Sequence, residues 1–200
     1  SLKKKSKKTH KKHQVKNNGQ RTVYPWLSLG PSTDNGGYAG HGRINSIGFH
    51  PTDNNKIYLG TAGGGFWISE DGGNTWMTTT DDLGALGVSG IAVDPVNPLN
   101  IYIATGDGDA ADNYSIGVYK STDGGLTFAP TGLNWSSSGG NVIRRIIFDP
   151  SNANTLFVAT NSGIYKTTDA GTTWNLKQSG SFFDIEANPN SVSNTFFASK

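Results

Sequence analysis

From residue 42 onward, apolar and polar positions alternate over short runs separated by glycine, proline, asparagine and aspartate, the signature of β-strands joined by tight turns. Ile44, Ile47 and Phe49 lead into a polar turn and then Ile57-Tyr58-Leu59. Gly65-Phe66-Trp67-Ile68 and Trp76-Met77-Thr78-Thr79 complete a set of four strands. The order returns in VSGIAVDPVNPLNIYIAT (88–105) with IGVYKSTDGGLTFAPT (116–131), and in VIRRIIFDPSNANTLFVAT (142–160) with GIYKTTDAGTTWNLK (163–177). A fourth copy begins with FFDIEANPNSVSNTFFASK (182–200) and shows only its first two strands around Asn188-Pro189. Each first strand ends at an X-Pro pair (His50-Pro51, Asp94-Pro95, Asp149-Pro150), because proline cannot donate to a ladder.

Within each full copy one phrase recurs roughly every fifty residues: SEDGGNTW at 69–76, STDGGLTF at 121–128 and TTDAGTTW at 167–174. Its chemistry is that of a hairpin between the third and fourth strands. Gly73, Gly125 and Gly171 supply positive-φ positions. Asp71, Asp123 and Asp169 fold a carboxylate back onto backbone N–H groups, and Trp76, Phe128 and Trp174 tuck beneath the turn. A catalytic reading of the three aspartates fails on geometry, since equivalent positions on successive units cannot converge on one active site.

These phrases resemble the S-x-D-x-G-x-T-W pattern of Asp-box (BNR) β-propellers, which occur in sialidases, sortilin-type receptors and xyloglucan-cleaving endoglucanases. A narrower resemblance covers residues 24–200. WLSLGPSTDNGGYAGHGRINSIGFHPTDNNKIYLGTAGGGFWISEDGGNTW, ATGDGDAADNYSIGVYKSTDGG and TNSGIYKTTDAGTTW are similar to the sortilin-like propellers of large secreted bacterial proteins exported by the type IX secretion system. The expectation is an all-β propeller of four-stranded antiparallel blades. Blades fall at about 42–81, 88–133 and 142–180 and a partial one at 181–200, all within a propeller segment at 23–200. Propellers close with about four to eight blades, so three and a half imply part of a larger ring.

Charge divides the chain. Nine of its 17 Lys+Arg residues lie in residues 1–21, whereas the remainder holds eight basic and 15 acidic residues, a net of −7. Residues 1–22 have almost nothing apolar to bury and are expected to be a disordered basic tail. Lysines without interleaved aromatics offer no stacking platform, so a solvated spacer is preferred to a nucleic-acid or lipid contact. Tyr24–Pro31, with Trp26, is expected to form a first ordered strand that helps to close the ring. The absence of cysteine removes disulfides and thiol catalysis, and no apolar run reaches membrane-spanning length. A secreted or cell-surface location therefore rests on the resemblance.

Strand order puts the loops between second and third strands on the face opposite the boxes. The longest, GDGDAADNYS (106–115), offers Asp107, Asp109, Asp112 and Asn113 as oxygen ligands. Ca²⁺ is the hard cation the three aspartates would suit, against Asx hydrogen bonds within the loop. Tyr114 and Trp135 are the aromatics placed to stack on a sugar beside it, or to be buried between blades. Arg43, Arg144 and Arg145 begin innermost strands, where each would meet a neighbouring blade's carboxylate.

Carried over residue by residue, the resemblance argues against catalysis. The sialidase Arg-Ile-Pro motif is Arg43-Ile44-Asn45 here, and the xyloglucanase phrase R-T-D-V-G-G corresponds to Gly60-Thr61-Ala62-Gly63-Gly64, with Ala62 in the acid's place. Glycoside hydrolysis needs two carboxylates, and only one can be nominated, from Asp107 or Asp109. The function expected is a glycan- or protein-binding module with no catalytic residue. The alternatives are a glycoside hydrolase whose pair is completed outside the segment, or export cargo whose partner is the secretion machinery.

Overall fold

A strand that buries alternate side chains needs a second layer to cover them, and here each small sheet is covered by the next copy of itself. The computed structural model describes residues 42–109, 113–188 and 195–200, all within one unit, Gly42–Lys200. The basic tail, Trp26 with its expected strand, Asp112 and Pro189 lie outside the described residues.

Three four-stranded antiparallel meanders follow in order. The first comprises β1 (Ile44–Phe49), β2 (Ile57–Thr61), β3 (Phe66–Ser69) and β4 (Met77–Thr78). The second comprises β5 (Val88–Val93), β6 (Ile101–Thr105), β7 (Gly117–Ser121) and β8 (Ala129–Asn134), and the third β9 (Ile143–Asp149), β10 (Asn152–Thr160), β11 (Gly163–Thr167) and β12 (Asn175–Ser179). A two-stranded sheet, β13 (Asp184–Ala187) with β14 (Phe196–Ser199), begins a fourth. The first strands β1, β5, β9 and β13 lie side by side, which makes the four sheets successive blades of a β-propeller.

The cores lie between blades. Tyr58, Phe66 and Ile68 of the first meet Val88, Ile101 and Ile103 of the second, with Phe128 edge-on to Phe66 at 5.1 Å between centroids. Tyr102, Ala104 and Val118 meet Ile143, Leu156 and Val158, with Trp174 packed against them. Phe157, Ala159 and Ile164 meet Phe182 and Ile185, and Phe196 lies 4.3 Å from Phe157. On the first blade Ile47 and Phe49 are exposed, whereas the equivalent Ile91 and Val93 pack against the first interblade core.

Every residue type in the repeated hairpin has a bond to make. Ser69 Oγ donates to Asp71 Oδ1 at 2.9 Å and accepts from Gly73 N–H at 2.8 Å. Asp71 also accepts from Thr75 N–H at 2.8 Å and from the Thr75 hydroxyl at 2.7 Å, while Trp76 Nε1–H donates to Gly73 O. Ser121, Asp123, Gly125 and Thr127 repeat this set, as do Thr167, Asp169, Gly171 and Thr173. The hairpin is also tied to the first turn of its own blade by Gly72 N–H to Asn55 O, Gly124 N–H to Leu99 O and Ala170 N–H to Asn154 O.

It is tied to the preceding blade as well. Gly125 O accepts from the Thr79 hydroxyl at 2.6 Å, and Gly171 O from Gly132 N–H at 2.9 Å. Ala170 O accepts from Tyr102 Oη at 3.0 Å, and burial pushes the Tyr102 phenol up to about 12.

Bonds from Thr75, Thr127 and Thr173 hold the Asp71, Asp123 and Asp169 carboxyls down at about 2, from 3.8. The backbone N–H is the largest contributor for Asp71 and Asp169, and the Thr127 hydroxyl for Asp123. A carboxyl whose folded pKa lies below its unfolded value stabilises the fold above the unfolded pKa and loses that contribution as pH falls through the folded one. The thermal midpoint should therefore be level from pH 7 to 5 and fall between about pH 4 and 2. The triple variant Asp71→Asn, Asp123→Asn, Asp169→Asn should show a shallower fall.

Gly124 and Gly125 separate two roles. Both have positive φ, 78° and 96°, but a Cβ on Gly125 would come within 2.8 Å of Phe66 Cε1, whereas one on Gly124 would find only Leu99 Cδ2 at 3.6 Å. Ala170 already occupies the position equivalent to Gly124, at φ 55°. Gly124→Ala should cost about 1 kcal/mol, and Gly125→Ala about 3 kcal/mol because strain and an interblade clash combine. Urea denaturation midpoints of the two variants would check the order.

Candidate functional site

On the face opposite the hairpins, the loops after the second strands meet the connections between blades, and backbone bonds stitch them together. Ala62 N–H donates to Arg43 O, Gly65 N–H to Leu86 O, Gly106 N–H to Gly87 O and Ser115 N–H to Asn141 O. Thr61, Thr105 and Thr160, which end the three second strands, turn their hydroxyls onto the carbonyls of Gly65, Gly117 and Gly163. This lattice fixes the loop that carries Asp107 and Asp109.

Asp107 is 3% exposed and Asp109 80%, and one guanidinium holds both. Arg43 Nη2 pairs with Asp107 Oδ2, and Nη1 with Asp109 Oδ2 at 2.9 Å. Asp107 Oδ1 accepts from Asn45 Nδ2 at 3.3 Å and from Asp109 N–H at 3.2 Å. The first blade thus grips the second through an arginine, as expected at the start of an inner strand. Arg145 does the same for the third and fourth blades, pairing with Asp184 and Glu186.

Arg43 borders a cavity of about 580 Å³ lined by Leu59, Thr61, Trp67 and Trp76, and two more that adjoin Asp107 or Asp109. The first of these two, of about 480 Å³, is lined by Arg43, Ala62, Gly63, Leu86, Asp107 and Asn113. The other, of about 360 Å³, crosses the inner strands and includes Asn45, Ser89, Asp109, Arg144 and Phe183. Asn113 is held structurally, its side-chain oxygen accepting from Gly87 N–H at 2.8 Å and Leu86 N–H at 3.3 Å.

The expected aromatics do not join this site. Tyr114 is 43% exposed but lines none of these cavities. Trp135 follows the outermost strand of its blade and packs into the core between the second and third blades, edge-on to Tyr165 at 6.0 Å. This is the burial between blades expected as the alternative to sugar stacking, and it leaves the ring half-buried. Among the described residues no three His, Cys, Asp or Glu side chains are grouped to hold a metal. Of the Ca²⁺ candidates, Asp107 and Asp109 are engaged by Arg43, and Asp112 lies outside the described residues. No described helix is long and apolar enough to cross a membrane.

The sequence reading missed Phe183 and Asn45 as cavity residues. Phe183 looked like the opening of another core strand. It precedes β13, however, and is 58% exposed with the Arg144 guanidinium 4.3 Å from its ring centroid.

No family model matches the chain. It is 32% identical over 145 residues to a probable oligoxyloglucan-reducing end-specific xyloglucanase of Neosartorya fischeri, a match covering 68% of this chain and 18% of that protein. It is 30% identical over 153 residues to a xyloglucanase of Acetivibrio thermocellus, covering 70% and 18%. Among solved structures, it is similar to an ancestral GH74 enzyme (TM-score 0.64, 26% identity, 74% of this chain and 21% of that one). It is also similar to the Niastella koreensis GH74 enzyme (TM-score 0.53, 29% identity, 70% and 23%). The chain spans about a fifth of the length of these proteins.

Removing Arg43 should expose the debt in the buried carboxylate. Arg43→Met leaves Asp107 charged with two weak bonds and should cost about 2 kcal/mol, below the range for fully buried pairs because Arg43 is 42% exposed. Asp107→Asn should cost less, and the double variant less than the sum. A double-mutant cycle by chemical denaturation measures the coupling.

Proposed function

We propose that this chain is part of a secreted or cell-surface propeller whose inner-strand face binds a glycan without cleaving it through its own residues. The observation that supports this most is the sharing of Arg43 by Asp107 and Asp109. Glycoside hydrolysis requires one carboxyl to give a proton and a second to act as base or nucleophile. Here the two carboxylates nearest the cavities share one cation, and Ala62 lies where the resemblance to xyloglucanases would put an acid. What remains is a pair of clefts, one mainly apolar and one of mixed polarity, of the size small ligands occupy. The likeness to xyloglucanases supports a glycan over a protein as ligand.

The hairpin bonding supports assignment to Asp-box propellers, and the resemblance of residues 24–200 to sortilin-like export cargo supports a secreted location. The hydrolase reading rests on one specific observation. The matched xyloglucanases are about five times longer than the aligned region, so a partner carboxylate could be supplied from outside this segment.

Calorimetry with a xyloglucan heptasaccharide, beside an assay for new reducing ends, tests the proposal. Binding should be measurable, should weaken at least tenfold (about 1.4 kcal/mol) in Asp107→Ala, and should occur with no reducing ends formed. Reducing ends that vanish in Asp107→Asn would replace the binding role with the hydrolytic one.

A further inference from the structure

The three full blades share an irregularity that points toward a ligand. In each, the inner strand holds one more residue than its partner spans: Ile44 and Ser46 face Thr61 and Gly60, Val88 and Gly90 face Thr105 and Ala104, Ile143 and Arg145 face Thr160 and Ala159. The extra residues are Asn45, Ser89 and Arg144. A β-bulge releases one residue from the ladder and re-aims its side chain. All three bulged residues line the same 360 Å³ groove.

Among them Arg144 stands apart. Arg43 and Arg145 are each bound to two carboxylates, whereas Arg144 has none among the described residues. Its Nη1 donates to Ser181 Oγ at 3.3 Å and to Phe182 O at 3.1 Å, which holds the guanidinium carbon 4.3 Å from the Phe183 ring centroid. Of the five N–H donors of an arginine, those on Nη2 and Nε keep no partner among the described residues. Asp109 also lines the groove, but its carboxylate is turned to Arg43. Gly108 lets that loop lie on the third blade, since a Cβ there would meet Ile143 O at 3.0 Å and Ser89 Cβ at 3.2 Å. The groove therefore presents a cation without a carboxylate partner among the described residues, beside an exposed aromatic ring, while the Asn45 amide is already bonded to Asp107 and the buried Ser89 hydroxyl to Ala104 O.

We propose that this groove binds a carboxylate-bearing sugar of the uronic-acid class, with Arg144 pairing to the carboxylate and Phe183 lying against the pyranose ring. A guanidinium offers parallel N–H donors that match a carboxylate, and an aromatic face suits the apolar side of a sugar. This deepens the glycan-binding role proposed above and rests on it.

The test is calorimetry of the whole chain with tetragalacturonate and with its methyl ester at low salt. The acid should bind at least tenfold more tightly than the ester, and the preference should shrink as salt rises. Arg144→Gln should bring the ratio near one, Arg144→Lys should keep part of it, and Phe183→Ala should weaken acid and ester alike. Lys56→Gln, at a cation in the first blade's turn paired with Glu70, should leave the ratio unchanged, and thermal melts establish that each variant is folded. Equal affinity for acid and ester, or a preference that survives in Arg144→Gln, overturns the proposal. If Arg144→Gln does not fold, Arg144→Lys and Phe183→Ala decide it. Binding of xyloglucan heptasaccharide but neither galacturonate form sinks this inference and leaves the broader role standing. Failure of every saccharide sinks both.

Discussion

Each of the three box hairpins closes on itself through a carboxylate, and the second and third also close on the preceding blade through a glycine carbonyl. The first contact is local: an aspartate gathers the N–H and hydroxyl of a threonine four residues on, and a serine or threonine completes the turn. The second is long-range: Thr79 reaches Gly125, and Gly132 reaches Gly171. Because the turn is braced internally, its aromatic residue and carbonyl are presented together to the preceding blade, where Phe128 and Trp174 pack against the interblade cores. A four-residue strand such as β3 would have little hold on its own. Its stability comes from being clamped between a hairpin and a neighbouring blade.

The same logic governs the opposite face with charge in place of backbone. Arg43 and Arg145 each leave an inner strand to bind carboxylates on the following blade. Asp107 tolerates burial because that guanidinium, Asn45 and the Asp109 N–H supply its bonds. An arrangement that holds two blades together also occupies the carboxylates nearest the cavities, so structural and catalytic uses of Asp107 compete for the same oxygens.

The fold was legible because it is written in repeats. The box phrase, the X-Pro turns and the alternation each occur several times, so strand order and the hairpin chemistry could be read from residue types alone. The inner-strand bulges could not, because Asn45, Ser89 and Arg144 share no chemistry and an extra residue leaves no mark on an alternation this short. Trp135 could be read only as two alternatives, a sugar-stacking ring or one buried between blades. Sequence puts it in a loop, but the strand before it ends at the outer rim, where the third blade's Tyr165 receives it. Phe183 is an apolar residue in a strand-like phrase that nonetheless remains outside the core.

The repeated bulge has a consequence for how such a molecule can change over generations. A residue bound into the ladder is constrained by two neighbouring strands, and a residue between blades by the packing of both. The bulged position is released from the ladder, and the three blades carry there an amide, a hydroxyl and a guanidinium, each bonded to a neighbouring strand or blade. A substitution at that one place changes the lining of the groove while leaving the paired strands on either side as they are.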